Sequence, residues 1–306
     1  MKLSSKDRQK SFTLQDVFGV VSVRKCEYIL GEEIQQLERI ARNVDPYYNP
    51  FQKKKGKKIR QIDNPRGELK LIQSKIKDRI LSKLSLPENM LGGVKGKSIK
   101  DNACIHKDQK VVVNIDLKNC FPNISHKMIF AIYRNVLCYS TKLSSLLTKL
   151  TTYEGHLPQG SPASTILANL ALIPLYNSIK EYTDFHKLNM SMWVDDITVS
   201  GDYADNHLMQ IVKMVQNHCF SLSNGKINIM KHGMKKPQIV TGLAVNKTVG
   251  IPKEKMALYI NEIKQLLLNP QTVKKSSLDG KLKHVKYINQ KQYKKLDKLL
   301  QIKTLR

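Results

Sequence analysis

The stretch MWVDDITVSG, Met192 to Gly201, constrains the fold more than any other part of the chain. Apolar and β-branched residues alternate through it as they do along strands. Asp195 and Asp196 stand side by side in its middle. Two adjacent carboxylates repel and resist burial, so a chain folds around them only where they reach water or a cation. A solvated hairpin tip is one such place, because Asp favours turns. The other is a β-hairpin whose tip holds a divalent metal. Mg²⁺ takes hard oxygen ligands, usually one or two carboxylates together with substrate phosphates. Taken alone, the pair leaves both readings open.

A third carboxylate decides between them. VVVNID is a near-continuous apolar strand that stops at Asp116, where a carboxylate is otherwise out of place. Three aspartates on two neighbouring strands suit two metals held about 3.5–4 Å apart, the arrangement that drives in-line attack on a phosphate. Asp116, Asp195 and Asp196 are therefore the expected catalytic metal ligands, and a two-metal Mg²⁺ site the expected cofactor.

Charge points to the same chemistry. The 306 residues carry 52 Lys+Arg against 25 Asp+Glu, a formal charge of +27. Such a chain attracts polyanions, so nucleic acid is the default partner. A membrane surface is the competitor, but no basic amphipathic helix dominates and no apolar run approaches the roughly 18 residues of a span. The N-terminal MKLSSKDRQKSFTLQDVFGV lacks the apolar centre of a signal peptide. Cys26, Cys104, Cys120, Cys138 and Cys219 are scattered, odd in number and without a C-x-x-C pair, which excludes a disulfide framework and a structural zinc. A reducing cytoplasm is the expected location. GGVKGKS resembles a phosphate-binding loop, but Leu91 stands where its first glycine belongs, so a P-loop ATPase is excluded.

Along the chain, residues 1–50 read as helical and polar, with GEEIQQLERIARN the clearest amphipathic stretch. A basic loop, FQKKKGKKIRQIDNP, surrounds the short strand KIRQI. Leu69, Ile72, Ile76, Ile80 and Leu84 then recur at helical spacing. Ser125 is placed to cap the helix HKMIFAIYRNVL. Ser161 and Pro162 are expected at the N-cap and first position of QGSPASTILANLALIPLYNSI, with Pro174 kinking or ending that helix. From about Pro252 the composition turns Lys-rich and Leu/Ile-periodic, which reads as a separate basic helical subdomain.

The order IDLKNCF, LPQGSPAS, WVDD resembles the palm motifs of reverse transcriptases, over roughly residues 55 to 250. NACIH (Asn102 to His106) and VTGLAVN (Val240 to Asn246) are similar to the N-A-x-x-H and V-T-G elements of bacterial retron reverse transcriptases. The resemblance implies an α+β right-hand polymerase with fingers, a palm built on an antiparallel sheet, and a helical thumb. It divides the chain into an N-terminal helical segment 1–50, fingers and palm 51–250, and a basic thumb 251–306.

The resemblance also assigns roles. Asp116, Asp195 and Asp196 match the metal-binding triad. Phe121, five residues past Asp116, matches the aromatic gate that leaves no room for a ribose 2′-OH. Gln159 and Gly160 match the loop that packs against the incoming nucleotide. Arg60 matches the fingers residue that grips the triphosphate, a job suited to a bidentate guanidinium. Lys226, in NGKINI, is the expected basic residue behind the metal hairpin. Asn102, His106, Val240, Thr241 and Gly242 are the expected places of specific RNA recognition.

This sequence departs from the family at Trp193-Val194, where Tyr-Ala is usual, and at Cys120 and Thr165. Trp193 and Val194 are both strand formers, so the hairpin is expected to survive. The implied activity is RNA-templated DNA synthesis on a cognate structured non-coding RNA, with deoxynucleoside triphosphates as substrates. Priming from an internal 2′-OH would give branched RNA–DNA, in an antiphage system with an effector protein as a further partner. Another bacterial reverse transcriptase, of the group II intron or abortive-infection type, is the alternative enzyme. A basic RNA-binding scaffold without catalysis is the alternative of another class.

Overall fold

The structure, a computed structural model, describes residues 12–55, 58–223, 225, 227–234, 236–269 and 275–301. In chain order the first helices are α1 (Leu14–Val17), α2 (Val23–Leu30) and α3 (Ile34–Arg42). Strands β1 (Tyr48–Lys55) and β2 (Lys58–Pro65) precede α4 (Gly67–Lys75) and α5 (Ile99–Ile105). Strand β3 (Val111–Asp116) leads to α6 (Cys120–Asn123), α7 (His126–Ala131), α8 (Thr141–Thr151) and α9 (Ser164–Phe185). Next come β4 (Asn189–Trp193), β5 (Asp196–Gly201), α10 (Leu208–Asn217), β6 (Asn228–Lys231), β7 (Ile239–Val240) and β8 (Leu243–Ala244). Three helices close the chain: α11 (Lys253–Leu268), α12 (Lys275–Ile288) and α13 (Gln290–Gln301).

The chain folds as two units, each drawn from separate stretches of sequence. Among the described residues, the first comprises those up to Val94, Leu117–Asn177 and Gln216–Ser221; the second comprises Lys95–Asp116, Ser178–Val215 and those from Leu222 onward. This division cuts across boundaries at 50 and 250, because strands distant in sequence must meet in one sheet.

In the first unit, β1 and β2 form a two-stranded antiparallel hairpin in full register from Tyr48↔Pro65 to Lys55↔Lys58. Its helices bury Leu37, Ile40, Leu69, Ile72, Ile76, Ile80, Tyr133 and Tyr139. The spacing that runs from Leu69 to Ile80 therefore faces the core as read, although a π-helical turn replaces regular helix at Ile76–Ile80. Ser125 caps α7 through Met128 N–H at 3.4 Å. Ser161 does not cap α9, which begins at Ser164. Its hydroxyl donates to Gln73 Oε1 (2.8 Å), an amide buried in the same core, and its oxygen accepts from Ala163 N–H (3.3 Å) in the turn before the helix. Pro174 lies inside α9, and the helix continues to Phe185.

The second unit is built on an antiparallel four-stranded sheet in the order β4-β5-β3-β6. The register places Asp116 opposite Asp196, Asn114 opposite Thr198, and Val112 opposite Ser200. Directly paired residues share a face. One face therefore carries Ile115, Val113, Ile197, Val199, Met190 and Met192, all buried. The other carries the aspartates, then Ser191, Thr198, Asn114 and Asn228 one row below.

Among the described residues, the C-terminal helices share their core with upstream elements. Met256, Tyr259, Ile263, Leu278, Val285, Ile288 and Leu296 pack in one cluster with Val240, Leu243 and Val245 of the β7–β8 region and with Ala103 and Val112. An apolar stripe that has to be buried finds its partner upstream of Pro252, so the compositional shift there is no packing boundary.

Candidate active site

Strand β3 delivers Asp116 at its last position, and β5 delivers Asp196 at its first, directly across the ladder. Trp193 pairs with Asp196 and closes the β4–β5 hairpin, so Val194 and Asp195 make a two-residue turn. Such a turn matches strand twist when its first residue has positive φ, a conformation that glycine adopts freely. Here that residue is Val194, at φ +57°. A β-branched residue in the left-handed region costs roughly 1–3 kcal/mol. Val194 thus serves as a turn residue and not as the strand former expected from its type. The hairpin survives because its register is fixed on both sides.

Asp116 and Asp195 are half-buried, and Asp196 is exposed. A cavity of about 230 Å³ opens beside them, lined by Asn114, Asp116, Asp196, Thr198, Asn228 and Thr241. Among the described residues, no three His, Cys, Asp or Glu side chains converge on a single point. What the backbone supplies is two carboxylates opposite each other and a third at the adjoining turn. Oxygen-only carboxylate donors are the chemistry that a hard divalent cation takes, and not a thiolate- or imidazole-seeking metal.

Of the residues expected to read RNA, three are buried: Asn102, His106 and Val240. His106, at the C-terminal cap of α5, is fully buried. Its Nδ1 lies 2.7 Å from Ser200 Oγ, and its Nε2 2.8 Å from Ser191 Oγ. Burial lowers its pKa to about 3, so the ring is neutral. With both nitrogens engaged and no exposed surface, His106 does not fit the direct RNA contact expected of it. Asn102, also buried, donates to Thr241 Oγ1 at 3.4 Å, while the Thr241 hydroxyl donates to the Ile99 carbonyl at 3.2 Å. Val240 is buried too, and Gly242 alone of the five is exposed. The sequence could not separate these cases, because a polar residue reads the same whether its partner is RNA or a strand 94 residues away.

In the first unit, Arg60 lies on β2 opposite Lys53 and is exposed. Gln159 is bound to the same strand: Asp63 N–H donates to the Gln159 carbonyl (2.7 Å), and Gln159 N–H donates to Asp63 Oδ2 (3.3 Å). Gly160, at φ +122°, packs so closely that a Cβ there would meet Ile62 Cγ2 at 3.1 Å and the Asp63 carbonyl at 3.2 Å. Asp63 was missed by sequence reasoning; its signal was a carboxylate at a buried position of a strand. Phe121 sits half-buried on α6. Lys226 lies outside the described residues.

The profile of the reverse transcriptase (RNA-dependent DNA polymerase) family matches residues 52–268. The retron Se72 reverse transcriptase of Salmonella heidelberg is 32% identical over 247 residues, 76% of this chain and 64% of that protein. The retron Ec86 reverse transcriptase of Escherichia coli is 35% identical over 211 residues, 66% of this chain and 64% of that one. The chain thus spans somewhat under two thirds of the length of these relatives. A telomerase from Candida albicans, solved with a fragment of telomeric RNA, aligns with a TM-score of 0.48 and 12% identity, covering 72% of this chain and 50% of that one.

Proposed function

The chain belongs to the reverse transcriptase family, and from that premise we propose that it copies an RNA template into DNA. The observation that carries this reading is the pairing of Asp116 with Asp196 on the polar face of a four-stranded sheet, with Asp195 at the turn beside them. In this reading the three carboxylates hold Mg²⁺, which when bound would neutralise the triphosphate and activate the attacking hydroxyl. Arg60 grips the triphosphate, Gln159 and Gly160 support the nucleotide, and Phe121 closes the space a ribose 2′-OH would occupy. Residues 51–250 act as fingers and palm, and 251–306 as a thumb that clasps duplex by its backbone. Lys226 is the basic residue behind the hairpin.

The finer reading is of the retron kind. NACIH and VTGLAVN favour it, as do the similarities to the Se72 and Ec86 enzymes. The template is then a structured non-coding RNA, synthesis starts from an internal 2′-OH, and the branched product serves in antiphage defence with an effector protein. The protein works in the bacterial cytoplasm. Among the described residues, no helix is long and apolar enough to cross a membrane.

The test supplies purified protein with Mg²⁺ and deoxynucleotides on two substrates: an RNA template with an annealed DNA primer, and the structured RNA encoded beside the gene with no primer. Extension of the first supports the polymerase reading. A product of the second that resists RNase only at a branch nucleotide supports the retron reading. Phe121→Ala is expected to raise the ratio of ribo- to deoxynucleotide incorporation about tenfold. An unchanged ratio in an active variant removes Phe121 from the gate.

A further inference from the structure

Helix α5 touches two hairpins through side chains one turn apart. Its N-terminus is fixed by a capping box, in which Ser98 and Asp101 exchange hydrogen bonds. Residues four apart on a helix share a face, and on this helix those residues are Asn102 and His106. His106 ties to Ser191 of β4 and Ser200 of β5, the two strands that present Asp195 and Asp196. Asn102 ties to Thr241, at the tip of the β7–β8 hairpin. Thr241 itself lines the cavity that Asp116 and Asp196 also line.

The hydrogen-bond inventory leaves little for an RNA to read: Asn102 Oδ1 has no partner, but it is buried. A neutral imidazole has one N–H and one bare nitrogen. One serine hydroxyl therefore donates to the His106 ring and the other accepts from it, and both sites of the ring are used. The Thr241 hydroxyl has one proton, committed to the Ile99 carbonyl, and one lone pair taken by Asn102. Thr241 also holds φ +45°, a strained setting for a β-branched residue, so surrounding contacts must fix it there.

We propose that α5 is an internal brace, and that Asn102 and His106 are positioning residues that set the Thr241 hairpin against the aspartate hairpin. This rests on the polymerase reading of the site. Its consequence is that the N-A-x-x-H and V-T-G elements act on every primer alike, by aligning the wall of the cavity with the carboxylates. Misplacement by a fraction of an ångström leaves the nucleotide bound but poorly aligned, so the chemical step slows.

The test uses Thr241→Val, which keeps shape and removes the hydroxyl, Thr241→Ser, which restores it, Asn102→Leu, and His106→Gln. Extension of a DNA primer on an RNA template and unprimed synthesis on the structured RNA are measured side by side. Thr241→Val and His106→Gln are expected to lower kcat about tenfold or more in both reactions, with KM for deoxynucleotide within about twofold of wild type. Thr241→Ser is expected to recover the activity, and Asn102→Leu combined with Thr241→Val to lose no more than the worse single variant. Amide hydrogen exchange across Asn189–Gly201 is expected to quicken in His106→Gln, with no metal or substrate present. Loss confined to the unprimed reaction, or wild-type kcat in Thr241→Val, overturns the brace. Should wild-type protein make no DNA at all, the polymerase reading fails by itself, and unchanged exchange in His106→Gln would still overturn the brace.

Discussion

Two hairpins of this protein are built in opposite ways. The β1–β2 hairpin has eight residues per strand, forms a two-stranded sheet among the described residues, and leaves Phe51 and Ile59 exposed at 45% and 66%. The β4–β5 hairpin is shorter, but β5 pairs onward to β3, and His106 grips both strands. The contrast matches what each is proposed to carry. In the role proposed for Arg60, a long side chain would reach the triphosphate from an approximate backbone position. An aspartate has one methylene, so the backbone itself has to stand where the charge is needed, and a sheet and a helix behind it keep it there.

The comparison predicts unequal sensitivity. Asp195→Asn keeps the shape of the turn but removes a charge. DNA synthesis is expected to fall about a thousandfold or more, since several kcal/mol of charge stabilisation go with it. Affinity for RNA, measured by filter binding, should stay close to wild type because it rests on the basic surface. Full activity in this variant would remove the aspartate hairpin from the chemistry.

On the exposed hairpin, Arg60→Ala is expected to raise KM for deoxynucleotide about tenfold, the size of one charge-assisted contact. Arg60→Lys should recover part of that loss, because a flexible cation still reaches the phosphates. Steady-state kinetics on a primed template separates the two. A fall in kcat with KM unchanged would mean that this hairpin, too, acts by backbone position.

Acid should strike the two hairpins differently. His106 has a folded pKa of about 3, below the ordinary imidazole value, so on acidification the unfolded chain takes up the proton first. The stability this group contributes is complete above about pH 6.5 and is lost as pH falls towards 3, at ~1.4 kcal/mol per pH unit. Between pH 7 and pH 5 the second unit should lose about 2 kcal/mol from His106 alone. Trp193 is the chain's one tryptophan and closes the aspartate hairpin, so its fluorescence reports unfolding there. A slope unchanged in His106→Gln would show that the ring titrates freely in the folded protein.

The smallest effect sharpens the comparison most. Val194→Gly relieves the positive φ but gives up a half-buried side chain, so a net gain of about 1 kcal/mol or less is expected, a rise of roughly 2 °C in Tm. Activity should fall at the same time, because a freer turn no longer aims Asp195 as tightly. A glycine variant both more stable and equally active would mean that the strain at Val194 serves nothing.

These contrasts also mark how far the sequence was readable. Apolar runs announced β3 and β5, Ser125 announced its helix, and Asp116, Asp195 and Asp196 stood out as carboxylates at the ends of apolar runs, two of them in strands and Asp195 in the turn between. Each of those signals is local. The left-handed turn at Val194 was hidden because nothing in a valine announces positive φ. The brace was hidden because His106 meets partners 85 and 94 residues away. Asp63 was hidden for the same reason, its partner lying 96 residues along the chain. Ser161 had the right chemistry for a cap, but its oxygen accepts from Ala163 N–H in the turn that precedes α9.

The shared core of the C-terminal helices bears on how such proteins can be recombined. Val240 and Leu243 are covered by Met256, Ile263 and their neighbours. A chimera that exchanged the basic tail at residue 250 would set one protein's hairpin against another's helices. Each mismatched apolar contact there puts roughly 1–3 kcal/mol at risk. A junction placed before Gln238 would carry hairpin and helices across together, leaving Ala103 and Val112 as the buried core residues they would have to meet from upstream. Lineages that exchanged this end of the gene would have done so with fewest casualties by moving the glycine-tipped hairpin along with its lysines.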